Sequence, residues 1–176
     1  LSELTGRMIG KDGRALNDRF REGIKLSFGD AADEVYAAYL KLFADLPLAV
    51  RTPNRVFICH TIPDGDWLDG LDLSILDADS WPPEATKRRG TVYAITWGRD
   101  TSDETADRFA AMVDADLFVV GHQACDEGFR QSNRRTLIVD GTNPRPAYCV
   151  FPARRPITID EIVTSVKVLG IERHSS

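Results

Sequence analysis

Residues 116–129 read DLFVVGHQACDEGF: an apolar run that stops at a glycine and is followed by His122, a glutamine, a cysteine and two acids. The run predicts a buried β-strand, because it is short, rich in β-branched and aromatic residues, and ends in turn residues. His60 ends a similar apolar run, RVFICH at residues 55–60. Two of the three histidines in the chain therefore lie where predicted strands end.

Strands and helices alternate along the rest of the chain, which predicts an α/β protein with a mixed sheet flanked by helices. It is predicted to be a single domain, with a helical segment at 1–46 and the sheet with its helices at 54–170. Further strands are expected at 91–97, 136–140 and 147–151, and residues 64–90 as mostly loop. Four helices are expected: 14–28 with Leu16, Phe20, Ile24 and Phe28 on one face, Asp30 to about Leu46, one after Thr101 or Ser102, and one from Thr158 or Asp160 through Leu169.

Composition and charge exclude several classes of protein. A formal charge of -5 argues against a nucleic-acid binder, because phosphate backbones are held by an excess of Lys and Arg. No apolar run approaches the roughly 18 residues of a membrane span. The three cysteines form no CxxC pair, which fits a reducing compartment, and a cytoplasmic location is therefore expected.

The two strand-end histidines predict a metal site. Functional groups of α/β folds collect outside the carboxyl ends of the strands, so His60 and His122 are expected to converge on one ion. Cys59 should face away from His60 and serve as a small core residue, since side chains alternate along a strand. Cys125 is a weaker candidate for a thiolate ligand, and His174 is expected to be exposed in the tail.

Two arginines and a cluster of acids are the other polar features. Arg99, in WGRD, either forms a surface ion pair or binds an oxyanion through two parallel hydrogen bonds from its planar guanidinium. Arg89, before a glycine, is the second arginine of interest. The acids between residues 64 and 79 lack the ligand spacing of a calcium loop, so a solvated acidic loop is expected there.

Four stretches together resemble the C-terminal part of the calcineurin-like metallophosphoesterases, in particular the bacterial relatives of the Ser/Thr phosphoprotein phosphatases. They are LPLAVRTPNRVFICH, VYAITWGRD, VVGHQACDEGF and TLIVDGTN, in the family's order. The likeness covers about residues 40–151. It implies the C-terminal half of the family's layered mixed sheet and a two-metal hydrolase of phosphate esters.

The resemblance also implies roles for particular residues. His60 and His122 would bind one of two divalent ions (Mn, Fe, Zn or Ni), Arg99 would act in catalysis by holding phosphate oxygens, and Arg89 is the alternate phosphate-binding arginine. Two such ions stabilise both the entering and the leaving oxygen of an in-line displacement. The substrate would be a phosphorylated protein or a small phosphoester.

The family's three earlier metal motifs, GDxHG, GDxxDR and GNHE, do not occur in this sequence. Leu1 resembles the residue that follows a missing N-terminal half, so these 176 residues alone are expected to have little or no phosphatase activity. A homodimer or pairing with the missing half is expected. Two other functions stay open: a non-catalytic, phosphatase-derived binding scaffold, and a hydrolase of dinucleoside polyphosphates or cyclic nucleotides, with residues 61–90 shaping the groove.

Overall fold

The computed structural model describes residues 10–11, 14–142 and 144–170. By its contacts the chain divides into two compact units. One comprises residues 1–47 with 78–82, and the other comprises residues 48–77 with 83–176.

The first unit contains a helical hairpin. Strand β1 (Gly10–Lys11) pairs antiparallel with β2 (Arg14–Ala15), and helices α1 (Leu16–Phe28) and α2 (Ala32–Asp45) follow. The Phe20 ring joins the two helices, with its centroid 5.6–6.2 Å from three rings of α2: Tyr36, Tyr39 and Phe43.

Both predicted helices of this unit are present, with corrections at their ends. The 3-10 turn Gly29–Ala31 contains Asp30, so Asp30 does not cap α2 as predicted. The predicted apolar stripe holds at Ile24, which is 5% exposed, but Phe28 is 47% exposed. Phe28 is the last residue of α1, and the chain turns directly after it at Gly29, whose φ is 52°.

The second unit is built on a five-stranded mixed sheet. Its strands are β3 (Ala49–Arg51), β4 (Val56–Cys59), β5 (Leu117–Val120), β6 (Phe129–Gln131) and β7 (Thr136–Val139), in the spatial order β3-β4-β5-β7-β6. Strands β4, β5 and β7 are parallel, and both edge strands are antiparallel to their neighbours. The predicted α/β class with a mixed sheet and flanking helices is thus confirmed.

Helices lie on both faces of this sheet. They are α3 (Pro83–Thr86), α4 (Thr91–Trp97), α5 (Asp103–Met112) and α6 (Ile159–Thr164), and a separate antiparallel pair is formed by β8 (Ala147–Cys149) and β9 (Val166–Val168). Ser102 caps α5 through its side chain, as one of the two predicted caps. No helix in the described part of the chain is long and apolar enough to cross a membrane.

Alternation along the strands divides the core into two clusters. On one face Phe118 stacks on Phe109 of α5 at a centroid distance of 5.5 Å, and Phe57 meets Phe109 edge-on at 5.8 Å. On the other face Val56 and its neighbours pack against Ile162 of α6. Cys59 belongs to the first cluster and is 9% exposed, which confirms its predicted core role.

The predicted strand at 91–97 is wrong: TVYAITW forms α4. Its buried residues fall at helical spacing and not on alternate positions: Thr91, Val92, Ala94 and Ile95. β-Branched and aromatic residues favour strands when nothing else decides. Here the burial of one helical face against the first core cluster overrides that preference.

The last predicted helix is right at its start and wrong at its end. Thr158 and Glu161 form a capping box at the start of α6, as the choice of Thr158 predicts. The helix ends at Thr164, and the following residues leave it to pair with β8 as β9. Leu169, expected on the apolar helical face, is 53% exposed.

Smaller differences concern short elements. The region 64–90 contains the 3-10 helices Gly65–Gly70 and Leu73–Asp77 besides α3, and the predicted strands at 136–140 and 147–151 end at residues 139 and 149. Strands β1, β2, β3, β6 and β9 were not predicted, and β2 takes the first two residues of the helix expected at 14–28. Each of the five has only two or three residues, too few to show a period.

Candidate metal and phosphate site

Parallel pairing brings the two strand-end histidines together. His60 directly follows β4 and His122 lies two residues after β5, and the paired ends of these strands are Cys59 and Val120. The amide of Gly121 donates to the His60 carbonyl oxygen at 3.0 Å, which continues the pairing past the strand ends. The imidazole Nε2 of His60 is 2.7 Å from Nδ1 of His122, with ring centroids 4.5 Å apart.

This contact shows how the pair can act chemically. With both rings neutral, one of the two facing nitrogens carries a proton and donates a hydrogen bond to the other, which accepts it through its lone pair. A divalent cation would take the place of that proton, so that both nitrogens act as lone-pair donors. His60 Nε2 and His122 Nδ1 would be the two donor atoms, and because they now face each other across 2.7 Å, both rings would have to move apart and turn for their lone pairs to reach one ion.

The electrostatic surroundings keep both rings neutral. Desolvation, then the charge of His60 and that of Arg99, lowers the pKa of His122 to about 4. Desolvation and the charge of Arg99 also lower the pKa of His60 below its usual value. Because a metal binds the neutral imidazole, proton competition at the pair is weak over the physiological range.

One ring nitrogen at the site is buried without a partner. Nε2 of His122 makes no hydrogen bond within the described residues, although it is shielded from solvent. Leaving such a group unpaired costs about 1–3 kcal/mol. A metal-binding histidine normally donates its second N–H to an oxygen acceptor, so this nitrogen marks where a further group fits the site.

Arg99 is held beside the histidines by its backbone. It follows the end of α4, and the Asp64 carboxylate accepts the amide hydrogens of Arg99 at 2.5 Å and of Asp100 at 2.9 Å. Its guanidinium has no ion pair or hydrogen bond within residues 14–142 and 144–170. A guanidinium group without such partners is planar and permanently charged, so it can bind two oxygens of one phosphate.

A close backbone approach fixes the segments that carry His60 and Arg99. Thr61 is 1% exposed, and its amide donates to the Ile95 carbonyl at 3.0 Å while its hydroxyl donates to the Gly98 carbonyl at 2.9 Å. A Cβ at Gly98 would lie 1.9 Å from the Ile62 carbonyl oxygen, so only glycine fits there. The sequence did not predict this contact, because residues 91–97 were expected to form a strand.

Within the described residues, no contact joins Arg89 to His60 or His122. Its guanidinium instead pairs with Asp66 at 3.1 Å, and its backbone has φ 70°. Two further acids of this loop have structural partners: Asp69 pairs with Arg108, and Asp72 accepts from the amide and hydroxyl of Ser74. A phosphate-binding role for Arg89 stays a prediction.

The structure adds an aromatic row that the sequence did not indicate. The Trp97 ring meets His122 edge-on, at 5.6 Å and 90°. Tyr93 lies one helical turn before Trp97, with its centroid 6.3 Å from Trp97 and 5.6 Å from Trp67. The pair Tyr93 and Trp97 occupies the half-buried face of α4, which only the helical assignment reveals.

Other predicted ligands do not join the pair. Cys125 is buried in the first core cluster, and burial raises the pKa of its thiol, which disfavours the thiolate that a metal requires. His174 lies outside the described residues. Within the described residues no group of three or more His, Cys, Asp or Glu side chains is placed to hold a metal ion. The metal role of the two imidazoles therefore stays a prediction.

Comparisons with known proteins give no family assignment. No protein-family model matches the chain, and no curated protein matches it significantly.

Proposed function

We propose that this chain is the C-terminal half of a metallophosphoesterase-type fold. The protein of which it is part would hydrolyse phosphate esters with divalent metal ions, on a phosphoprotein or a small phosphoester in the cytoplasm. His60 and His122 supply two metal ligands, and Arg99 binds the phosphoryl group. The observation that carries the proposal is the 2.7 Å contact between the two imidazoles at the carboxyl ends of adjacent parallel strands.

In this proposal the histidines and Arg99 have different roles. The two neutral imidazoles donate lone pairs without adding negative charge beside an anionic substrate. Arg99, held through its backbone by Asp64, compensates charge on the phosphoryl oxygens. The metal ions, when bound, would polarise the phosphoryl oxygens and activate water.

Two imidazoles do not by themselves complete a catalytic metal site, which takes at least three protein ligands. We propose that the remaining ligands come from the N-terminal half that the resemblance implies or from a second polypeptide. The absence of a third ligand among the described residues also favours a second function, a binding scaffold that retains anion recognition without catalysis.

Metal binding by the purified 176-residue chain tests the first part of the proposal. Titration with Zn²⁺ or Ni²⁺ should give one weak site, because two converging imidazoles form a bidentate donor. His60→Ala and His122→Ala should each remove that site, and His174→Ala is the matched control. A site that survives both of the first two substitutions would contradict the proposed ligands.

Phosphate binding and turnover test the second part. Arg99→Gln should weaken the binding of inorganic phosphate to the zinc-loaded chain, whereas Arg108→Gln, on a surface ion pair of the same unit, should not. We expect little or no hydrolysis of p-nitrophenyl phosphate by the chain alone with Mn²⁺. Robust turnover would show that the described ligands suffice and would contradict the proposed division of the site.

A further inference from the structure

The backbone at His122 adopts an unusual conformation. Its φ is 68°, and the amide of Gln123 donates to the Gly121 carbonyl at 2.8 Å. A hydrogen bond between residues i and i+2 around a positive φ defines the strained form of the γ-turn. For a residue with a Cβ, this conformation persists only when the surrounding structure fixes it, and such residues cluster at functional sites.

A single buried carboxylate holds the loop that contains this turn. Asp140 directly follows β7, the third parallel strand, and is 6% exposed. Its Oδ2 accepts the amide hydrogen of Cys125 at 3.0 Å, and its Oδ1 accepts the amide and hydroxyl hydrogens of Thr142 at 2.8 and 2.7 Å. Its own amide donates to the Gly128 carbonyl at 2.7 Å.

These bonds tie the loop at two points. Cys125 and Gly128 are the ends of the turn that follows the γ-turn, and the Gly128 amide donates to the Cys125 carbonyl at 2.8 Å. Gly128 is itself constrained, since its φ is 83° and an added Cβ would lie 2.1 Å from the Arg145 carbonyl oxygen. The loop from Gly121 to Gly128 is thus anchored to the sheet at His60 and at Asp140.

We propose that Asp140 is a positioning residue, whose carboxylate holds the strained turn at His122 so that the His122 ring meets the His60 ring. It acts through the backbone of Cys125 and touches neither imidazole in any contact of the described residues. The inference rests on the proposed function only where it concerns the metal that the aligned rings would bind. The alignment of the two rings does not depend on a metal.

Nuclear magnetic resonance of the full chain tests the alignment without metal. The chain has three histidines, so its imidazole spectrum is simple, and His174 serves as the internal reference. In the wild type we expect nuclear Overhauser contacts between the His60 and His122 rings, and a coupling across the hydrogen bond from the Cys125 nitrogen to the Asp140 carboxyl carbon. The absence of that coupling would overturn the proposal.

Asp140→Asn should weaken or abolish the contacts between the two rings, because an amide group of the same shape cannot accept from Cys125 and from both Thr142 donors. Thr142→Val removes a donor on the other side of the carboxylate and is the matched control, which should keep the ring contacts. Because the asparagine oxygen can face either Cys125 or Thr142, the Cys125 coupling is read in the same variant. Ring contacts that persist although that coupling is lost would overturn the proposal, whereas contacts that persist only with the coupling would support it. If Asp140→Asn does not fold, the double variant with His122→Gly should fold, since glycine adopts φ 68° without strain. A double variant that stays unfolded would also overturn it.

Metal affinity separates positioning from general stability. Asp140→Asn should weaken Ni²⁺ binding about 10-fold or more, the range found when a metal ligand loses the group that orients it. Thr142→Val, the matched control, should leave the Ni²⁺ affinity unchanged. A wild type that shows aligned rings but binds no Ni²⁺ would defeat the proposed function and leave the positioning role standing. Equal Ni²⁺ affinity of the wild type and a folded Asp140→Asn would defeat the positioning role alone.

Discussion

Single backbone positions determine where the candidate site residues lie. Arg99 depends on Gly98, whose missing side chain lets α4 end against the Ile62 carbonyl, and on Asp64, which accepts two consecutive amide hydrogens. His122 depends in the same way on its own positive φ. The sequence shows which chemical groups Arg99 and His122 carry. The position of each side chain, however, depends on neighbouring residues and backbone angles that take no part in binding.

Gly98→Ala is expected to disturb both stability and anion binding. The new methyl group would overlap the Ile62 carbonyl oxygen, so the segments carrying His60 and Arg99 must move apart. Overpacking of this kind costs about 1–3 kcal/mol in the free energy of unfolding, measurable by urea denaturation. Gly70→Ala is the control, because nothing lies within 4 Å of its added Cβ. Equal stability of Gly98→Ala and wild type would show that the close approach relaxes at no cost.

At the scale of elements, helix α4 shows the limit of sequence reasoning. The strands that hold the histidines could be predicted, because their apolar runs are short and end in turn residues. TVYAITW is also rich in β-branched and aromatic residues and yet forms a helix, since its burial is decided by the core cluster it packs against. Strands β3, β6 and β9, of three residues each, show no period and could not be found without their partners. The convergence of His60 and His122 was predictable, but the support from Thr61, Asp64 and Asp140 was not, because it comes from hydrogen bonds between distant segments.

Helix α4 also gives the site an optical reporter. Trp97 meets His122 edge-on. An open-shell ion such as Ni²⁺ bound at the histidine pair should quench the nearby indole at short range. Trp97→Phe should therefore remove most of the metal-induced loss of fluorescence. A quench that persists unchanged in Trp97→Phe would place the metal elsewhere.

For the unit as a whole, both rims of the sheet carry charged groups, but they are arranged differently. The carboxyl rim, where β4, β5 and β7 end, carries the imidazole pair, Arg99 and the buried Asp140, with the ion pair of Arg145 and Glu127 in the loop after β5. The amino rim, where these strands begin, carries ion pairs: Arg55 with Asp114 and Asp116, and Arg135 with Asp107 of α5. The hydrogen bond from Arg135, then the charges of Arg134 and Arg135, hold the pKa of Asp107 below its usual value despite partial desolvation.

Acid should weaken the fold through the amino rim. A carboxyl group whose pKa is lower in the folded than in the unfolded state stabilises the fold above its unfolded pKa, near 3.9, and that stability is lost as the pH falls through the folded pKa. Asp107→Asn should therefore lower the free energy of unfolding at pH 7 and flatten its decline between about pH 5 and pH 2. Denaturation curves at a series of pH values measure this. Parallel curves for the two proteins would exclude a contribution from Asp107.

The ion pairs of the amino rim have a consequence for work at different ionic strengths. Exposed ion pairs are screened within a Debye length of about 8–10 Å in ordinary buffers, and added salt shortens that range further. The imidazole pair carries no formal charge in its neutral state. Concentrated salt should thus weaken the amino rim of the sheet, whereas binding of a transition metal by the two histidines should persist.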